Sequence, residues 1–271
     1  MTALMAHMIP YYPDKKTSLE VARGIIRGGA QYLEIQFPFS DPTADGPVIE
    51  AACTRALKQG FTVDQGFAFV RQAVEMADRL KTGTTEPAVA IMTYASLVHR
   101  RGVDRFCAEA SQAGAMGLIV PDLPVDSDEG LAEAAINHGL KLIPVVVPTT
   151  TDARLDLITQ GQPEYIYCAL RTGITGSRTE IGPENHRFLQ RVAQRTGDYG
   201  GKILGGFGIQ EPGQVKALEP YVYGVVVGSA LVRIIQQYMA NPPAEQNLPG
   251  KDNGESLEQR ISAFVQKLLL S

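Results

Sequence analysis

Short apolar segments rich in β-branched residues recur along the chain between longer polar stretches. These segments are Met8 to Tyr11, Tyr32 to Ile35, Val89 to Met92, Gly117 to Val120, Leu140 to Val147, Tyr165 to Tyr167, Lys202 to Leu204 and Val222 to Val227. Each has the length of a strand. Continuous apolar runs of this kind are typical of parallel strands that are buried on both faces. The pattern therefore predicts eight parallel strands.

Amphipathic segments lie between these strands, and the clearest runs from Thr17 to Gly28. Its apolar stripe comprises Val21, Ala22, Ile25 and Ile26. Thr17 and Glu20 have the spacing of a capping box, so a helix is expected to begin at Thr17 and to stop at Gly28 and Gly29. Strands that alternate with such helices indicate an α/β protein with crossover connections.

Eight near-equal strand and helix units favour a closed (β/α)8 TIM barrel. A doubly wound sheet is the competing architecture, but no glycine-rich dinucleotide turn follows the first strand. We expect one domain over residues 1–271, with a polar loop at 241–254 and a terminal helix at 256–270. The terminal helix is predicted from the capping-box spacing of Ser256 and Gln259 and from a following apolar stripe.

Composition excludes several classes of function. The chain has 271 residues, 44% of them hydrophobic, and a formal charge of −4, which offers no basic footprint for nucleic acid. No apolar stretch is long enough to span a membrane, and the first residues do not resemble a secretion signal. Cys53, Cys107 and Cys168 show no metal or disulfide spacing, which is typical of reduced thiols. We therefore expect a cytoplasmic protein that acts on a small molecule.

Acidic residues mark the carboxyl end of the second strand, where barrel active sites lie. Glu34 is a charge between two apolar neighbours, and burial there would raise its pKa and suit it to proton transfer. Asp41 and Asp45 follow in the proline-rich loop Pro38 to Pro47. A structural ion pair would explain Glu34 as well, and both aspartates have neighbours typical of turns.

Glycines mark the loops after the last two strands. The pattern GGFG, with Gly205, Gly206 and Gly208, precedes Gly228 and Ser229 by about twenty residues. Paired in this way they favour a phosphate site built from backbone N–H groups, although a lone glycine after a strand usually means only a turn. The loop Thr172 to Gly176 could add a further wall. The four histidines, which we interpret as structural or surface residues, are His7, His99, His138 and His186.

Six blocks in order along the chain resemble the signatures of tryptophan synthase alpha subunits. They are EIQFPFSDPTADGPVIE, IMTYASLVHRRG, GLIVPDLP, RTGITGSR, GGFGI and VVVGSA. The resemblance implies a (β/α)8 barrel that cleaves indole-3-glycerol phosphate to indole and glyceraldehyde 3-phosphate. It also implies an allosteric complex, as an alpha2-beta2 tetramer, with a beta subunit that carries pyridoxal phosphate, and neither cofactor nor metal on this chain.

The resemblance assigns roles to individual positions. Glu34 matches the catalytic acid/base, and Asp45 matches the aspartate that binds the indole N–H. Residues that match substrate or phosphate positions are Tyr11, Tyr94, Tyr167, Thr175, Gly176, Gly206, Phe207, Gly208, Gly228 and Ser229. The expected partner surface comprises Pro38, Phe39, Asp41 and Pro42. The sequence departs from the family pattern at Gln36, at Ser96 and in a shortened first loop, which bears on partner binding more than on the chemistry.

Three other interpretations remain open from the sequence. One is a stand-alone indole-3-glycerol-phosphate lyase that releases free indole, and another is a non-catalytic regulatory paralogue. The third is an isomerase or aldolase that acts on another sugar phosphate through a Schiff-base lysine. The evident strand lysines, Lys141 and Lys202, stand at strand starts, away from the expected catalytic end.

Overall fold

The computed structural model describes residues 2–80, 87–170, 181–206, 208–241 and 255–270. The strands in this part are β1 (Ala3–Met8), β2 (Tyr32–Gln36), β3 (Ala88–Met92), β4 (Gly117–Ile119), β5 (Lys141–Leu142), β6 (Val145–Val146), β7 (Tyr165–Ala169), β8 (Lys202–Gly206) and β9 (Gly224–Val227). The α-helices are α1 (Lys15–Arg27), α2 (Pro47–Lys58), α3 (Val63–Arg79), α4 (Ala95–Arg101), α5 (Val103–Gln112), α6 (Leu131–Asn137), α7 (Asp152–Gln160), α8 (Pro183–Thr196), α9 (Pro212–Leu218), α10 (Ser229–Ala240) and α11 (Leu257–Leu269).

The strands form one parallel sheet in the order β5-β4-β3-β2-β1-β9-β8-β7-β6. Its two ends, β5 and β6, are consecutive pieces of one strand, joined through Ile143 and Pro144. The Ile143 N–H donates to Leu118 on one side, at 2.9 Å, and Tyr167 donates to the Pro144 carbonyl on the other, also at 2.9 Å. The sheet is therefore closed, and the predicted (β/α)8 TIM barrel is confirmed.

Side chains alternate between the barrel interior and the surrounding helices, as parallel strands require. Those of Leu33 and Ile35 point outward into the large core between sheet and helices, which also takes Leu4, Val89 and Leu118. A second, smaller core fills the interior and includes Met5, Ala90, Met92, Ile143, Leu204 and Val226.

Some of the predicted element boundaries are wrong. The first strand was expected at Met8 to Tyr11, but it runs over Ala3–Met8, and Tyr11 lies in the following turn with a positive φ of 64°. Helix α1 begins earlier than expected because Asp14, rather than Thr17, caps it and accepts the Thr17 N–H at 2.9 Å. The predicted fifth strand is split because Pro144 has no N–H for the sheet.

Tyrosines and charged residues fill the amino end of the barrel. The hydroxyls of Tyr32 and Tyr165 lie 3.1 Å apart across the interior. Glu164 bridges Lys141 at 2.6 Å and Lys202 at 3.1 Å beside them. The sequence had placed both lysines at strand starts, and the structure agrees. This end of the barrel is a packed floor, so the site must lie at the carboxyl end.

The predicted terminal helix is present as α11 and packs against α1 and α10. Its capping box between Ser256 and Gln259 forms as expected. Two glycines of α1 allow the close approach: a Cβ at Gly24 would lie 2.7 Å from the Glu258 carbonyl oxygen, and one at Gly28 would overlap Val265. Among the described residues, no helix is both long and apolar enough to cross a bilayer.

Gly24→Ala is expected to destabilise the fold by about 1–3 kcal/mol, because the added methyl group meets backbone that cannot rotate away. The matched control is Gly213→Ala in α9, where a Cβ would meet no described atom within 4 Å. Urea unfolding of both variants measures the difference. Equal midpoints would contradict the proposed close packing of α11 on α1.

Candidate active site

A cavity of about 310 Å³ opens at the carboxyl ends of the strands. This volume lies at the lower end of the range of small-molecule sites, about 300–1,000 Å³. Polar groups line one side, among them Glu34, Asp45 and Ser229. The apolar part of the lining comprises Ile49, Met92, Ile119, Val145, Val147 and Val226. The cavity therefore suits a ligand with an apolar body and a polar or charged tail.

Glu34 points into this cavity from the middle of β2. Alternation in the strand places it inward between outward-pointing Leu33 and Ile35. Its side chain is buried, and within the described residues its Oε2 atom has no hydrogen-bond partner. The pKa of Glu34 is raised from 4.5 to about 7, mainly by burial; the nearby His7 opposes the rise and Asp45 adds to it. A carboxyl group with this pKa can donate and accept protons near neutral pH.

Asp45 is held at the rim by two donors that converge on its Oδ2 atom. The Tyr94 hydroxyl donates at 2.8 Å and the Gln36 side-chain amide at 2.5 Å. Burial raises the pKa of Asp45 to about 6, and these two hydrogen bonds limit the rise. Asp45 therefore ionises at a lower pH than Glu34. Such a separation is what two carboxylates need in order to take different roles.

His7 and Gln36 complete the polar side of the cavity, and the sequence analysis missed both as site residues. Gln36 had been noted only as a departure from the family pattern, and His7 had been interpreted as structural or surface. His7 lies beside Glu34 in the register of β1 and β2, and its Nε2 is 2.6 Å from the Gln36 Oε1. The misplaced first strand hid this signal, because alternation within Ala3–Met8 puts Ala3, Met5 and His7 inward.

The glycines after β8 and β9 lie where a phosphate was expected. Gly208, with a positive φ of 85°, lines the cavity together with Gly228 and Ser229. Helix α10 begins at Ser229, so its first N–H groups face the opening. A Cβ at Gly206 would lie 2.5 Å from the Tyr167 hydroxyl oxygen, so only glycine fits beside that ring.

Some predicted positions lie elsewhere. Tyr11 is absent from the cavity lining, and its ring packs edge-on against Phe61 with centroids 5.9 Å apart. Tyr94 reaches the site through its bond to Asp45, while Tyr167 lines the cavity directly. Thr175, Gly176 and Phe207 fall outside the described residues, as does most of the expected polar loop at 241–254.

The expected partner surface is only partly open. Pro38 and Pro42 are buried, Phe39 is half-buried and stacked on Tyr94 at 5.4 Å, and Asp41 is exposed. The two prolines therefore fix the backbone of the loop. Because Tyr94 also binds Asp45, the Phe39 ring connects the outer surface of the loop to the site.

No lysine lines the described part of the cavity. Lys141 and Lys202 are tied to Glu164 at the opposite end of the barrel, so neither can form a Schiff base with a ligand bound here. Within the described ranges, no three His, Cys, Asp or Glu side chains are grouped as a metal site would need.

The chain is similar in sequence to proteins of one family. A family model described as tryptophan synthase alpha chain matches residues 1–262. The chain is 40% identical over 238 residues to the tryptophan synthase alpha chain of Helicobacter hepaticus, and the match covers 86% of each chain. It is 36% identical over 252 residues to that of Picosynechococcus, covering 92% of this chain and 90% of the relative.

Solved structures give the same result. A tryptophan synthase structure from Mycobacterium tuberculosis matches with a TM-score of 0.82 and 28% identity, covering 99% of this chain and 91% of that chain. A mutant tryptophan synthase alpha subunit from Pyrococcus furiosus matches with a TM-score of 0.80 and 29% identity, covering 99% and 98%.

The raised pKa of Glu34 predicts that stability depends on pH. A native pKa of about 7 against an ordinary value of 4.5 means that the folded state favours the protonated form. This contribution is fully present below about pH 4.5 and is lost as the pH rises through 7. Glu34→Gln should therefore match the wild type near pH 4 and exceed its free energy of unfolding by about 3 kcal/mol at pH 8.

Urea unfolding at both pH values tests this. The control is Glu133→Gln, which removes an exposed carboxylate of α6 and should change the free energy of unfolding by less than about 0.5 kcal/mol throughout. A Glu34→Gln effect of the same size at pH 4 and pH 8 would show that Glu34 ionises normally in the folded protein.

Proposed function

The chain belongs to the tryptophan synthase alpha chain family, and we propose that it breaks the carbon–carbon bond of indole-3-glycerol phosphate at this cavity. The products are indole and glyceraldehyde 3-phosphate, as in tryptophan biosynthesis. The observation that carries the proposal is the pairing of buried Glu34 with hydrogen-bonded Asp45 on one side of a cavity whose other surfaces are apolar.

The substrate fits the cavity in one direction. The apolar lining suits the indole ring, and Asp45 accepts the indole N–H at the rim of β2. The phosphate lies at Gly228 and Ser229, where the N–H groups and dipole of α10 stabilise negative charge. Gly208 lets the phosphate approach the main chain closely. Cleavage by this route uses no cofactor or metal on this chain.

The reaction needs two proton transfers. Protonated Glu34 donates to the indole carbon that bears the glycerol chain, and positive charge develops on the ring. Ionised Asp45 stabilises that charge through the indole N–H. Loss of the proton from the adjacent hydroxyl then forms the aldehyde, and the electrons of the broken bond return to the ring. Glu34, once ionised, lies on the same side of the cavity and can receive a proton to complete the cycle.

The site argues against two of the three alternative functions and does not separate the third from the proposed one. A Schiff-base aldolase would need a lysine, and none lines the described part of the cavity. A non-catalytic regulatory paralogue has no use for a buried Glu34 and a half-buried Asp45 whose raised pKa values weaken the fold. A stand-alone lyase that releases free indole uses the same residues, so only a partner experiment separates it from a subunit of a complex.

We further propose a beta subunit as partner, with its pyridoxal phosphate, in an alpha2-beta2 tetramer. The loop containing Phe39 and Asp41 offers the contact, because Phe39 stacks on Tyr94 and Tyr94 binds Asp45. A partner that packs on this loop would therefore act on Asp45. Three buried free cysteines suit the reducing cytoplasm, where we place this one-domain enzyme.

Indole release is the direct test of the reaction. The purified chain should convert indole-3-glycerol phosphate to indole, and Glu34→Gln should lower kcat/KM by about 10²- to 10⁴-fold, because the proton donor is lost. The control Glu133→Gln should retain full activity. Wild-type turnover in Glu34→Gln would refute the role of Glu34, and no turnover by the wild type, alone or with a beta chain, would refute the proposed reaction.

Ser229 tests the phosphate position. Ser229→Asp places a negative charge at the start of α10 and should weaken inhibition by glyceraldehyde 3-phosphate by more than about tenfold, through charge repulsion. Ser229→Asn, which has the same shape without the charge, should have a much smaller effect. Equal inhibition constants for the two variants would mean that the phosphate binds elsewhere.

Asp41 tests the partner surface. With a tryptophan synthase beta chain added, indole formation should increase, and Asp41→Lys should weaken this stimulation by reversing an exposed charge of the loop. Asp198→Lys changes an equally exposed charge near the amino end of the barrel and should leave stimulation intact. If both variants behave alike, then the loop does not form the contact.

A further inference from the structure

His7 has one ring nitrogen without a hydrogen-bond partner in the part of the chain that the structure describes. The side chain is only 6% exposed. Its Nε2 contacts Gln36, whereas its Nδ1 is buried and has no hydrogen-bond partner among the described residues. A buried polar atom without a partner is costly, by about 1–3 kcal/mol. An atom of this kind on a cavity wall indicates that a ligand supplies the partner.

Gln36 determines which ring nitrogen of His7 carries the hydrogen. The Gln36 amide nitrogen donates to the Asp45 carboxylate at 2.5 Å, and an oxygen in that place would be repelled. The Gln36 oxygen therefore faces His7, and an oxygen can only accept. Hence Nε2 of His7 carries the hydrogen, and in the neutral ring Nδ1 is a bare acceptor.

The position of His7 in the sheet determines which part of a bound substrate lies next to it. Strand β1 lies between β2 and β9 in the sheet. Asp45 follows β2, and the phosphate site at Gly228 and Ser229 follows β9, so a substrate that spans both crosses the end of β1. The Nδ1 atom would lie 3.2 Å from a Cβ at Gly228, and His7 is the register neighbour of Glu34. The glycerol hydroxyls of the substrate occupy this middle part.

We propose that Nδ1 of His7 takes the proton from the substrate hydroxyl whose carbon becomes the aldehyde. This inference rests on the proposed cleavage of indole-3-glycerol phosphate and divides its two proton transfers between two residues. Glu34 gives its proton to the indole carbon, the carbon–carbon bond breaks, and the hydroxyl proton moves to His7. The cycle closes when His7 returns that proton to the neighbouring Glu34 carboxylate.

The charges around His7 suit this role. The titratable groups that line the cavity with it are Glu34 from the neighbouring β2, Asp45 from the following loop and Tyr167 from β7. From β9 and α10 it meets the Gly228 backbone and the Ser229 hydroxyl. Two nearby carboxylates stabilise the imidazolium that forms when the proton arrives. Gln36 is a positioning residue that fixes the ring.

Two substitutions separate the functions of the imidazole ring. His7→Gln keeps a donor near the Nε2 position for Gln36 and removes Nδ1. His7→Asn keeps an acceptor near the Nδ1 position that cannot retain a proton. Both should lower kcat for indole release by about 10²-fold or more, as the loss of a general base does. The KM of each variant should stay within about threefold of the wild type, because the ends of the substrate are still held.

A second measurement isolates the Glu34 step. Exchange of the ring hydrogen of free indole in deuterium oxide, with glycerol 3-phosphate bound, needs proton transfer at the indole carbon but no hydroxyl deprotonation. The two His7 variants should therefore keep this exchange within about threefold of the wild type, which also shows that their sites are folded. Glu34→Gln should lose both exchange and cleavage.

The outcomes are distinct. Full kcat in His7→Gln would overturn the inference, as would loss of exchange together with cleavage, which would mean that His7 only positions Glu34. An unchanged kcat with weakened inhibition by glyceraldehyde 3-phosphate would instead make His7 a phosphate ligand and overturn it too. A wild type that neither cleaves the substrate nor exchanges indole would refute the proposed function, independently of the His7 variants.

Discussion

A closed parallel barrel leaves few inward-pointing positions at the carboxyl ends of its strands, and this chain makes three neighbouring ones polar. His7, Glu34 and Gln36 lie side by side on β1 and β2, with hydrophobic side chains across the cavity. Polar atoms in such a place must bond to one another or to a ligand. Gln36 binds Nε2 of His7 and the carboxylate of Asp45, and among the described residues Nδ1 of His7 and Oε2 of Glu34 have no partner and are left for a ligand. The arrangement of these side chains therefore follows from the small number of hydrogen-bond partners that the cavity offers them.

Burial of the two carboxyl groups opposes folding at neutral pH, but it also shifts their pKa values toward the range in which they can transfer protons. Desolvation raises the pKa of both Glu34 and Asp45, but only Asp45 receives hydrogen bonds that counter the rise. The two carboxyls thereby differ, although both belong to one strand and the loop that follows it. Tyr94 contributes to this difference because its hydroxyl donates to Asp45. Its ring also stacks on Phe39, so these two rings connect Asp45 to the outer surface of the loop.

The sequence predicted the barrel because eight apolar segments and their helices repeat with a clear period, and it predicted Glu34 because a charge interrupts one of them. It failed where periodicity is ambiguous. The stretch from Ala3 to Pro10 is apolar nearly throughout, so its pattern does not mark where the strand begins. The predicted strand therefore started at Met8 and left out His7, whereas the observed strand is Ala3–Met8. Gln36 was visible only as an unusual residue, since its bonds to His7 and Asp45 depend on register. The burial of Pro38 and Pro42 depends likewise on how the loop folds back.

The pairing of β1 with β9 has a consequence for how the protein is made. Register joins Ala3 to Gly224 and Ala6 to Val227, so β1 cannot complete its pairing until β2 to β9 have all been synthesised. Until then β1 has β2 on one side and a bare edge on the other. Unpaired apolar edges are sites of aggregation. Biosynthesis therefore passes through a nascent state in which His7, Glu34 and Asp45 are already present and the wall beside His7 is still missing.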